Sequence, residues 1–282
     1  MIKVSFIIRT KDEALSLPAC LKAITEQNFE SYEIIVVDSG SKDETLEVAK
    51  RANCIVLSIS PQDFTFGRAI NIGAQQATGE ILVILSAHCL PIGKDWLNNL
   101  VQAFSSDDAL VGVMGRQVTY LNASPIEKRG ALEAFPTGGG LVVLKGERFS
   151  NAFSAVLKKV WQQIPFDETV SGAEDIDWVR KVQSLGLRIA YEPRSMVYHS
   201  HQETIKGVYH RFFRENEALI LINSSFARRQ NLLGYLLRYL RSVSLDYVFI
   251  ISHWVSLGYF IKWFLLIPFF RAAVYYGQFK AQ

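Results

Sequence analysis

The first hundred residues alternate between short apolar runs and segments in which apolar positions recur every three or four residues. Continuous apolar runs are typical of strands covered on both faces, and the longer spacing is typical of helices. The runs lie at residues 4–8, 34–37, 54–59 and 81–85. Because strands joined through helices make right-handed crossovers, this alternation predicts an α/β fold with a mostly parallel sheet.

Polar clusters follow three of the four predicted strands. Residues 10–13 and 41–44 have the form Ser/Thr-x-x-Glu, which predicts a capped helix start at each cluster. Ser86 and His88 directly follow the fourth strand, at the edge where open α/β sheets hold ligands. A strand that merely turns into a loop with a surface histidine is the alternative for this segment.

The remaining elements follow from the same patterns. Residues 67–78 form a predicted helix ended by Gly79. Further helices are predicted at residues 96–104, 160–164 and 174–185. Further strands are predicted at residues 110–118, 151–157, 187–191 and 196–198. The glycines at 138–140 mark a turn or mobile loop.

The last fifth of the chain differs in composition from the rest. From residue 226 onward seven basic residues stand against one acid, Asp246, so the segment has a net charge of about +6. We therefore predict an α/β domain at residues 1–225 and a helical, hydrophobic and basic tail at residues 226–282. The longest tail run without a formal charge, residues 247–261, is shorter than the ~20 residues that span a bilayer.

Amphipathic helices lying on the membrane surface are the interpretation that this tail favours. Its basic residues, Lys262 and Arg271 among them, would face anionic lipid. A tilted span over residues 247–270 would bury Lys262, which is costly. A helical cap packed on the core is the other alternative.

The cysteines and the chain start bear on compartment. Cys20, Cys54 and Cys89 show no metal-binding spacing and no even framework, which favours reduced thiols in a cytosolic compartment. Met1 leads directly into a strand, so the sequence predicts no signal peptide. The overall charge of +3 is bland, and we expect no nucleic-acid partner.

The order of the motifs resembles that of family 2 glycosyltransferases over roughly residues 2–202. The matching segments are 4–13 (VSFIIRTKDE), 33–41 (EIIVVDSGS), 67–71 (GRAIN), 79–85 (GEILVIL) and 172–178 (GAEDIDW). Residues 191–193 and 197–201 end the series in a way similar to bacterial polysaccharide enzymes, including rhamnosyltransferases. The resemblance implies the GT-A fold, a Rossmann-like sheet with flanking helices.

The resemblance also implies a nucleotide-sugar donor, linked to UDP or dTDP. Asp38 can accept the imide N–H of uracil or thymine, Glu13 can accept from ribose hydroxyls, and Arg68 can neutralise a diphosphate oxygen. A helix-capping Glu13, a turn-forming Asp38 and a solvated Arg68 are the structural alternatives. The residues expected at the donor are Thr10, Glu13, Asp38, Arg68, Asn71 and Ser86.

Asp175 matches the position of the family's general base. Inversion at the sugar carbon requires a base that takes the proton from the acceptor hydroxyl. Glu174 is expected to orient the acceptor. Two adjacent carboxylates at a helix head are favoured by the positive end of the helix, although acidic first turns also occur on plain surface helices.

The segment Ser86-Ala87-His88 departs from the family, which usually has Asp-x-Asp here to bind Mg²⁺ or Mn²⁺. The change removes two carboxylate ligands. We expect a divalent ion held by His88 together with His199 or His201. Stabilisation of the diphosphate by arginine and histidine without a metal is the alternative.

Together these features predict an inverting glycosyltransferase that acts on a polysaccharide or lipid-linked acceptor in cell-surface glycan synthesis. Rhamnose from dTDP-rhamnose is one candidate for the sugar. Transfer of a hexose or N-acetylhexosamine from a UDP-sugar is the alternative within the class. A catalytically silent GT-A-like protein that binds nucleotide sugars or scaffolds a membrane assembly is the alternative outside it. The expected location is cytoplasmic and peripheral, on the inner face of the cell membrane.

Overall fold

The computed structural model of the chain describes residues 3–201 and 203–282. Two compact units result. The first holds the chain up to residue 117 with 135–170 and 174–199, and the second holds 118–134, 171–173 and 200–282. Residues 1, 2 and 202 lie outside the described residues. The prediction about a signal peptide at Met1 therefore concerns residues that the structure does not describe. The division at residue 226 stays a prediction, and the second unit also contains chain that precedes it.

The elements alternate between strands and helices through most of the chain. The strands are β1 (Val4–Thr10), β2 (Tyr32–Asp38), β3 (Ile55–Ser58), β4 (Ile81–Ser86), β5 (Leu90–Ile92), β6 (Leu110–Val118), β7 (Val142–Leu144), β8 (Phe153–Leu157) and β9 (Arg188–Tyr198). The helices are α1 (Leu17–Thr25), α2 (Thr45–Arg51), α3 (Phe66–Gln76), α4 (Trp96–Gln102), α5 (Pro125–Ala134), α6 (Lys158–Trp161), α7 (Glu174–Ser184), α8 (Ile205–Leu221), α9 (Leu232–Ser252) and α10 (Leu257–Lys280).

The strands form one sheet in the order β3-β2-β1-β4-β8-β6-β9-β5, with β7 beside β9. The pairs β1–β2, β1–β4 and β2–β3 are parallel. The pairs β4–β8, β6–β8, β5–β9 and β7–β9 are antiparallel. The predicted α/β class is confirmed: the parallel strands come from the first hundred residues, and later strands extend the sheet on one side.

The central strands bury both of their faces. In β4, Ile81, Val83 and Leu85 belong to one apolar cluster, whereas Leu82 and Ile84 belong to another. Helices α1 and α4 contribute side chains to the first cluster, and α3 and α7 contribute to the second. Double coverage explains why this strand reads as an unbroken apolar run.

Two of the predicted helix caps are wrong. Helix α1 begins at Leu17 and α2 begins at Thr45, each a few residues beyond the predicted cap. Neither N-cap residue, Ser16 or Glu44, accepts a backbone hydrogen bond with its side chain. The polar residues of both clusters lie instead in loops that bond to each other.

Strand β9 unites two strands that the pattern separates. Its first half pairs with β7 and its second half pairs with β5. Pro193 lies between the halves and lacks a ladder donor, which interrupts the sequence pattern. Strands β5 and β7 have three residues each and are too short to give a recognisable pattern.

The second unit is helical. Helices α8 and α10 pack through Val208, Ala273 and Val274, and α9 and α10 pack around Ile250 and Trp263. The sequence patterns do not predict α5 and α8, because arginine and glutamate residues interrupt their apolar positions.

The tail prediction needs two corrections. The stretch 247–270 is not one helix, since α9 ends at Ser252 and α10 begins at Leu257. Arg271 does not face lipid: it is 9% exposed and pairs with the fully buried Asp246, at 2.6 Å from Nε to Oδ2. Among the described residues α10 is the helix long and apolar enough to cross a membrane, a criterion that some helices of soluble proteins also meet.

Candidate active site

The carboxyl ends of the parallel strands bring the predicted donor residues to one edge of the sheet. Thr10, the last residue of β1, pairs with Asp38, the last residue of β2. Arg9 pairs with Ser86, the last residue of β4. The polar clusters that follow these strands therefore lie side by side, as the parallel topology predicts.

Two loops beyond this edge are joined by hydrogen bonds. The Asp12 N–H donates to Ser41 Oγ at 2.8 Å, and the Lys42 N–H donates to Asp12 Oδ1 at 2.7 Å. The Glu13 N–H donates to Thr45 Oγ1, also at 2.8 Å. The Ser41 side chain thus bonds to the partner loop and does not cap α2.

Asp38 is 1% exposed and organises the turn after β2. Its Oδ2 accepts from the N–H groups of Gly40 at 2.9 Å and Ser41 at 3.0 Å, and its Oδ1 accepts from the Ser41 hydroxyl. Gly40 has a φ of +88°, which favours glycine. Within the protein itself, Asp38 thus has the turn-forming role that was the structural alternative. Recognition of a pyrimidine ring by this carboxylate stays a prediction.

Glu13, His88, His199 and Gln117 form a continuous chain of polar contacts. Glu13 Oε1 lies 2.7 Å from His88 Nδ1, and Gln117 Oε1 lies 2.8 Å from His199 Nδ1. Between them the two Nε2 atoms are 3.1 Å apart, with the rings 13° from parallel. Burial raises the pKa of the Glu13 carboxyl, but the hydrogen bond and charge of His88 and a bond from Ser16 outweigh it, so the pKa lies below its ordinary value.

The partners of the two Nδ1 atoms determine what each Nε2 presents. Carboxylate and amide oxygens only accept, so each neutral ring carries its proton on Nδ1. In the structure Gln117 presents its Oε1 to His199, and its Nε2 donates to Ser150 Oγ at 2.9 Å. The two Nε2 atoms of His88 and His199, 3.1 Å apart, are close enough to share a proton or to bind adjacent positions on one ion. The pair is therefore suited to a metal ion or a shared proton.

His201 belongs to the second unit. Its backbone N–H donates to Glu127 Oε1 at 2.7 Å. The first unit thus supplies His88 and His199 as a pair, and a part for His201 stays a prediction.

Glu174 and Asp175 open helix α7 beside Asn151 and Arg9. Asp175 Oδ2 accepts from the Asn151 N–H at 3.2 Å. Glu174 is 5% exposed, accepts from Asn151 Nδ2 at 3.2 Å and lies 3.8 Å from Arg9 Nη1. Arg9 also donates to the Asn151 carbonyl at 2.7 Å. Arg9 and Asn151 therefore hold the two carboxylates in a fixed arrangement.

This setting raises the pKa of Asp175 to about 7. Burial is the largest cause, and the like charge of Glu174 adds to it. Bonds from the N–H groups of Asn151 and Ile176, together with the charge of Arg9, lower the pKa by a smaller amount. A carboxylate with this pKa is a stronger base than an ordinary aspartate and is still substantially deprotonated at neutral pH.

Asn71 and Gly67 attach helix α3 to the segment before α7. Asn71 is 3% exposed, its Nδ2 donates to the Phe166 carbonyl at 2.8 Å, and its Oδ1 accepts from Trp161 Nε1 at 2.8 Å. A Cβ at Gly67 would lie 2.2 Å from the carbonyl oxygen of Asp167, so glycine permits the close approach. Both residues thus have structural roles, and a contact of Asn71 with the donor stays a prediction.

Three other predicted donor residues have polar groups that make fewer contacts within the protein: Thr10, Arg68 and Ser86. Thr10 Oγ1 is buried and has no hydrogen-bond partner among the described residues. The Arg68 side chain is 44% exposed and 3.9 Å from Asp63. Ser86 is partly buried at the end of β4. These groups remain the predicted contacts for a donor.

Arg9, Gln117 and Asn151 are site residues that the sequence patterns miss. Arg9 stands in the first matching segment, so a basic residue at a strand end could have indicated it. Gln117 lies in β6 and Asn151 precedes β8, outside every matching segment. The order β4-β8-β6 in the sheet brings them to the site, and no local pattern encodes that order.

Comparison with known proteins gives family and fold. Residues 5–159 match the family described as Glycosyl transferase family 2. The chain is 30% identical over 227 residues to the O-antigen chain rhamnosyltransferase RfbN of Salmonella typhimurium, which covers 75% of this chain and 71% of RfbN. It is 26% identical over 205 residues to the O-antigen chain rhamnosyltransferase WbaN of Salmonella anatum, which covers 68% of this chain and 64% of WbaN.

Among solved structures, the chain is similar to the mannosyltransferase PcManGT from Pyrobaculum calidifontis, in complex with GDP-Man and Mn²⁺. The TM-score is 0.62 at 19% identity, over 96% of this chain and 86% of PcManGT. At this identity the likeness concerns the fold alone. The GT-A class that the motifs imply is confirmed.

Proposed function

This chain belongs to glycosyl transferase family 2, and from that premise we propose that it transfers a sugar from a nucleotide-diphosphate donor to an acceptor hydroxyl with inversion. The observation that supports this most is the setting of Asp175, whose pKa is raised to about 7 by burial and by Glu174. Such a carboxylate can take the hydroxyl proton at neutral pH.

The transfer step uses the carboxylates in two ways. The acceptor oxygen attacks the sugar carbon, the bond from that carbon to the diphosphate oxygen breaks with its electron pair, and the hydroxyl proton passes to Asp175. Glu174, held by Arg9 and Asn151, orients the acceptor beside the base. Because both carboxylates are fixed before substrate arrives, little reorganisation is needed.

His88 and His199 would hold a divalent cation, Mg²⁺ or Mn²⁺. The facing Nε2 atoms, 3.1 Å apart, support this, since each has its Nδ1 engaged by an oxygen acceptor. When bound, such an ion supplies positive charge that offsets the charge developing on the leaving diphosphate. Glu13 and Gln117 orient the rings, as outer partners commonly do for metal-binding histidines. Imidazole ligands suit Mn²⁺ better than Mg²⁺, and PcManGT was solved with Mn²⁺.

The donor would lie along the carboxyl ends of β1, β2 and β4. A UDP- or dTDP-sugar would meet Asp38 with its base, Glu13 with its ribose and Arg68 with its diphosphate. Thr10, Asn71 and Ser86 would complete this lining. The pairing of Thr10 with Asp38 across β1 and β2 supports a shared site.

The sugar would be rhamnose and the acceptor a polysaccharide or a lipid-linked precursor. The names of RfbN and WbaN, O-antigen chain rhamnosyltransferases, support this choice. The second unit would contact an anionic membrane, and the enzyme would work on its cytoplasmic side. The free thiols of Cys20, Cys54 and Cys89 support a reducing compartment.

Hydrolysis of a panel of nucleotide sugars tests the assignment. We expect dTDP-rhamnose to turn over fastest with Mn²⁺, and Asp175→Asn to be the matched inactive control. Faster turnover of a UDP-hexose or UDP-N-acetylhexosamine would favour the alternative donor. A folded chain that binds UDP or dTDP, but neither hydrolyses a donor nor transfers its sugar to an acceptor, would favour the silent scaffold.

A further inference from the structure

We propose that α9 and α10 lie flat on an anionic lipid bilayer through an exposed apolar surface, the hairpin face, and do not cross the bilayer. This deepens the proposed membrane contact of the second unit and rests on it, not on the transfer chemistry. The hairpin face comprises Leu233, Leu236, Leu237, Leu240, Val248 and Ile251 of α9, Trp254 and Val255 of the link, and Leu257, Ile261, Phe264, Leu265 and Phe269 of α10.

The side chains of the hairpin face are exposed on one side of each helix. Leu237 of α9 is 59% exposed and Leu265 of α10 is 63% exposed, values typical of the set. Their spacing of three, four and seven residues places them along one side of each helix. Single exposed apolar residues are normal, but this many along two helices that pack together indicate an interaction site.

The opposite side of the two helices is held to protein by a buried ion pair. Asp246 of α9 is 0% exposed, and its Oδ1 accepts from Arg271 Nη2 at 2.9 Å and from Arg129 Nε at 2.7 Å. A single span by α10 would separate Arg271 from Asp246 and place an unpaired arginine in hydrocarbon. Such a charge is costly, and breaking a buried pair leaves its partner uncompensated. The pairing therefore favours helices that keep one side on protein and the other on lipid.

The charge around the hairpin face selects its partner. Arg241, Lys262 and Lys280 are exposed on these helices, whereas their acid, Asp246, is buried and paired. The accessible formal charge on α9 and α10 is therefore positive throughout. Anionic headgroups complement this charge. A second copy of the chain would bring like charges together, which opposes dimerisation through this face.

Trp254 lies at a position suited to report whether the hairpin face contacts lipid. It is 57% exposed in the link between α9 and α10 and stacks on Phe260 at 5.2 Å between ring centroids. Tryptophan favours the headgroup level of a bilayer. The other four tryptophans are buried, Trp96, Trp161 and Trp178 in the first unit and Trp263 in α10, so lipid-borne quenchers should act mainly on Trp254.

The test uses the full chain with vesicles of phosphatidylcholine, with or without phosphatidylglycerol, carrying bromine near either end of the acyl chains. We expect sedimentation with the anionic vesicles only. Quenching that is lost in Trp254→Phe should report contact with lipid. Phe269→Trp places a tryptophan on the hairpin face at the middle of α10, and its added quenching should be stronger with bromine near the headgroup. Stronger quenching of Phe269→Trp with bromine near the bilayer centre would overturn the proposal in favour of a span.

Two charged variants test the surface itself. Leu240→Glu and Leu265→Glu should each reduce the vesicle-bound fraction at least tenfold. Leu185→Glu, at a 67% exposed site in the first unit, is the matched control and should bind as the parent does. Donor hydrolysis in solution, measured in parallel, should be unchanged in all three. Two results would overturn this inference: a parent chain that does not bind anionic vesicles, or one that forms a concentration-dependent dimer which Leu240→Glu disrupts. If that parent chain hydrolyses the donor fully, the proposed reaction is unaffected.

Discussion

The Nε2 atoms of His88 and His199 face each other at 3.1 Å although the two residues are 111 positions apart in the chain. The segment after β4 supplies one imidazole, and the residue after β9 supplies the other. Glu13 and Gln117 engage the two Nδ1 atoms, so the contact between the rings is made by their Nε2 atoms. A pair of imidazole nitrogens thus lies at the segment where the resemblance implies two carboxylates.

The first prediction concerns His88. Mn²⁺ binding without donor, followed by calorimetry, should weaken on the order of tenfold or more in His88→Ala, because one of two nitrogen ligands is removed. The Mn²⁺ concentration for half-maximal activity should rise as well. His210→Ala, at an exposed histidine of α8, is the control and should change neither value. If the enzyme keeps full activity in EDTA, and His88→Ala does not change how activity depends on Mn²⁺, the histidine pair would share a proton and not bind a metal.

Glu13 gives a second prediction about the same pair. Glu13→Gln keeps a hydrogen-bond acceptor for His88 but removes the negative charge, so Mn²⁺ affinity should fall by less than in His88→Ala. The measurement is a Mn²⁺ titration followed by electron paramagnetic resonance. UDP affinity without metal serves as the control readout. A loss of UDP affinity with unchanged Mn²⁺ binding would place Glu13 at the ribose alone.

The sequence predicts those parts of the site that local pattern determines. The apolar runs locate β1, β2 and β4, and the parallel crossovers bring Thr10, Asp38 and Ser86 to one edge. The pairing of Glu13 with His88, and of Asn151 with Asp175, depends on loops and on strands added in the antiparallel direction. Those contacts have no periodicity of their own, so no sequence window indicates them.

In the tail, too, the sequence does not indicate which residues interact with each other. Composition gives its excess of cations, but whether a given cation faces water, lipid or protein depends on tertiary partners. From composition, Arg271 is predicted to face lipid, yet Asp246 binds it through two hydrogen bonds. The acid that neutralises it lies in the preceding helix, so no spacing within one helix indicates the pair.

Asp38 supplies a third prediction. Asp38→Ala should weaken UDP or dTDP binding in calorimetry, since it removes the acceptor for the imide N–H. Ser41→Ala is the matched control because it removes one bond to the same carboxylate and leaves the carboxylate in place. Equal losses in both variants, or no loss in either, would show that Asp38 acts through its turn only.

The fourth prediction concerns Asp175 itself. Asp175→Asn should keep donor binding but reduce transfer on the order of 10²-fold or more, because no other group takes the acceptor proton. Its folded pKa of about 7 lies above the ordinary 3.8, so the folded chain binds the proton more tightly than the unfolded chain does. The aspartate therefore lowers stability progressively as pH rises from about 4 through 7. Accordingly Asp175→Asn should raise the unfolding temperature more at pH 8 than at pH 5, and retained transfer would remove the assignment.

The neighbours of Asp175 should shift the pH profile in opposite directions. Transfer requires the deprotonated carboxylate, so kcat/KM should fall on the acid side with a midpoint near pH 7. Glu174→Gln removes a like charge that raises the pKa of Asp175, and the midpoint should move to lower pH.

Arg9→Gln removes a positive charge that lowers this pKa, and the midpoint should move to higher pH. Arg9→Lys keeps the charge but not the planar contact with the Asn151 carbonyl, so it should hold the midpoint near that of the parent while reducing the rate. The opposite signs separate electrostatic coupling from simple disruption, because a damaged site would lower the rate in both variants and leave the midpoint in place. Shifts of the same sign in Glu174→Gln and Arg9→Gln, or a midpoint that neither moves, would mean that a group other than Asp175 takes the proton.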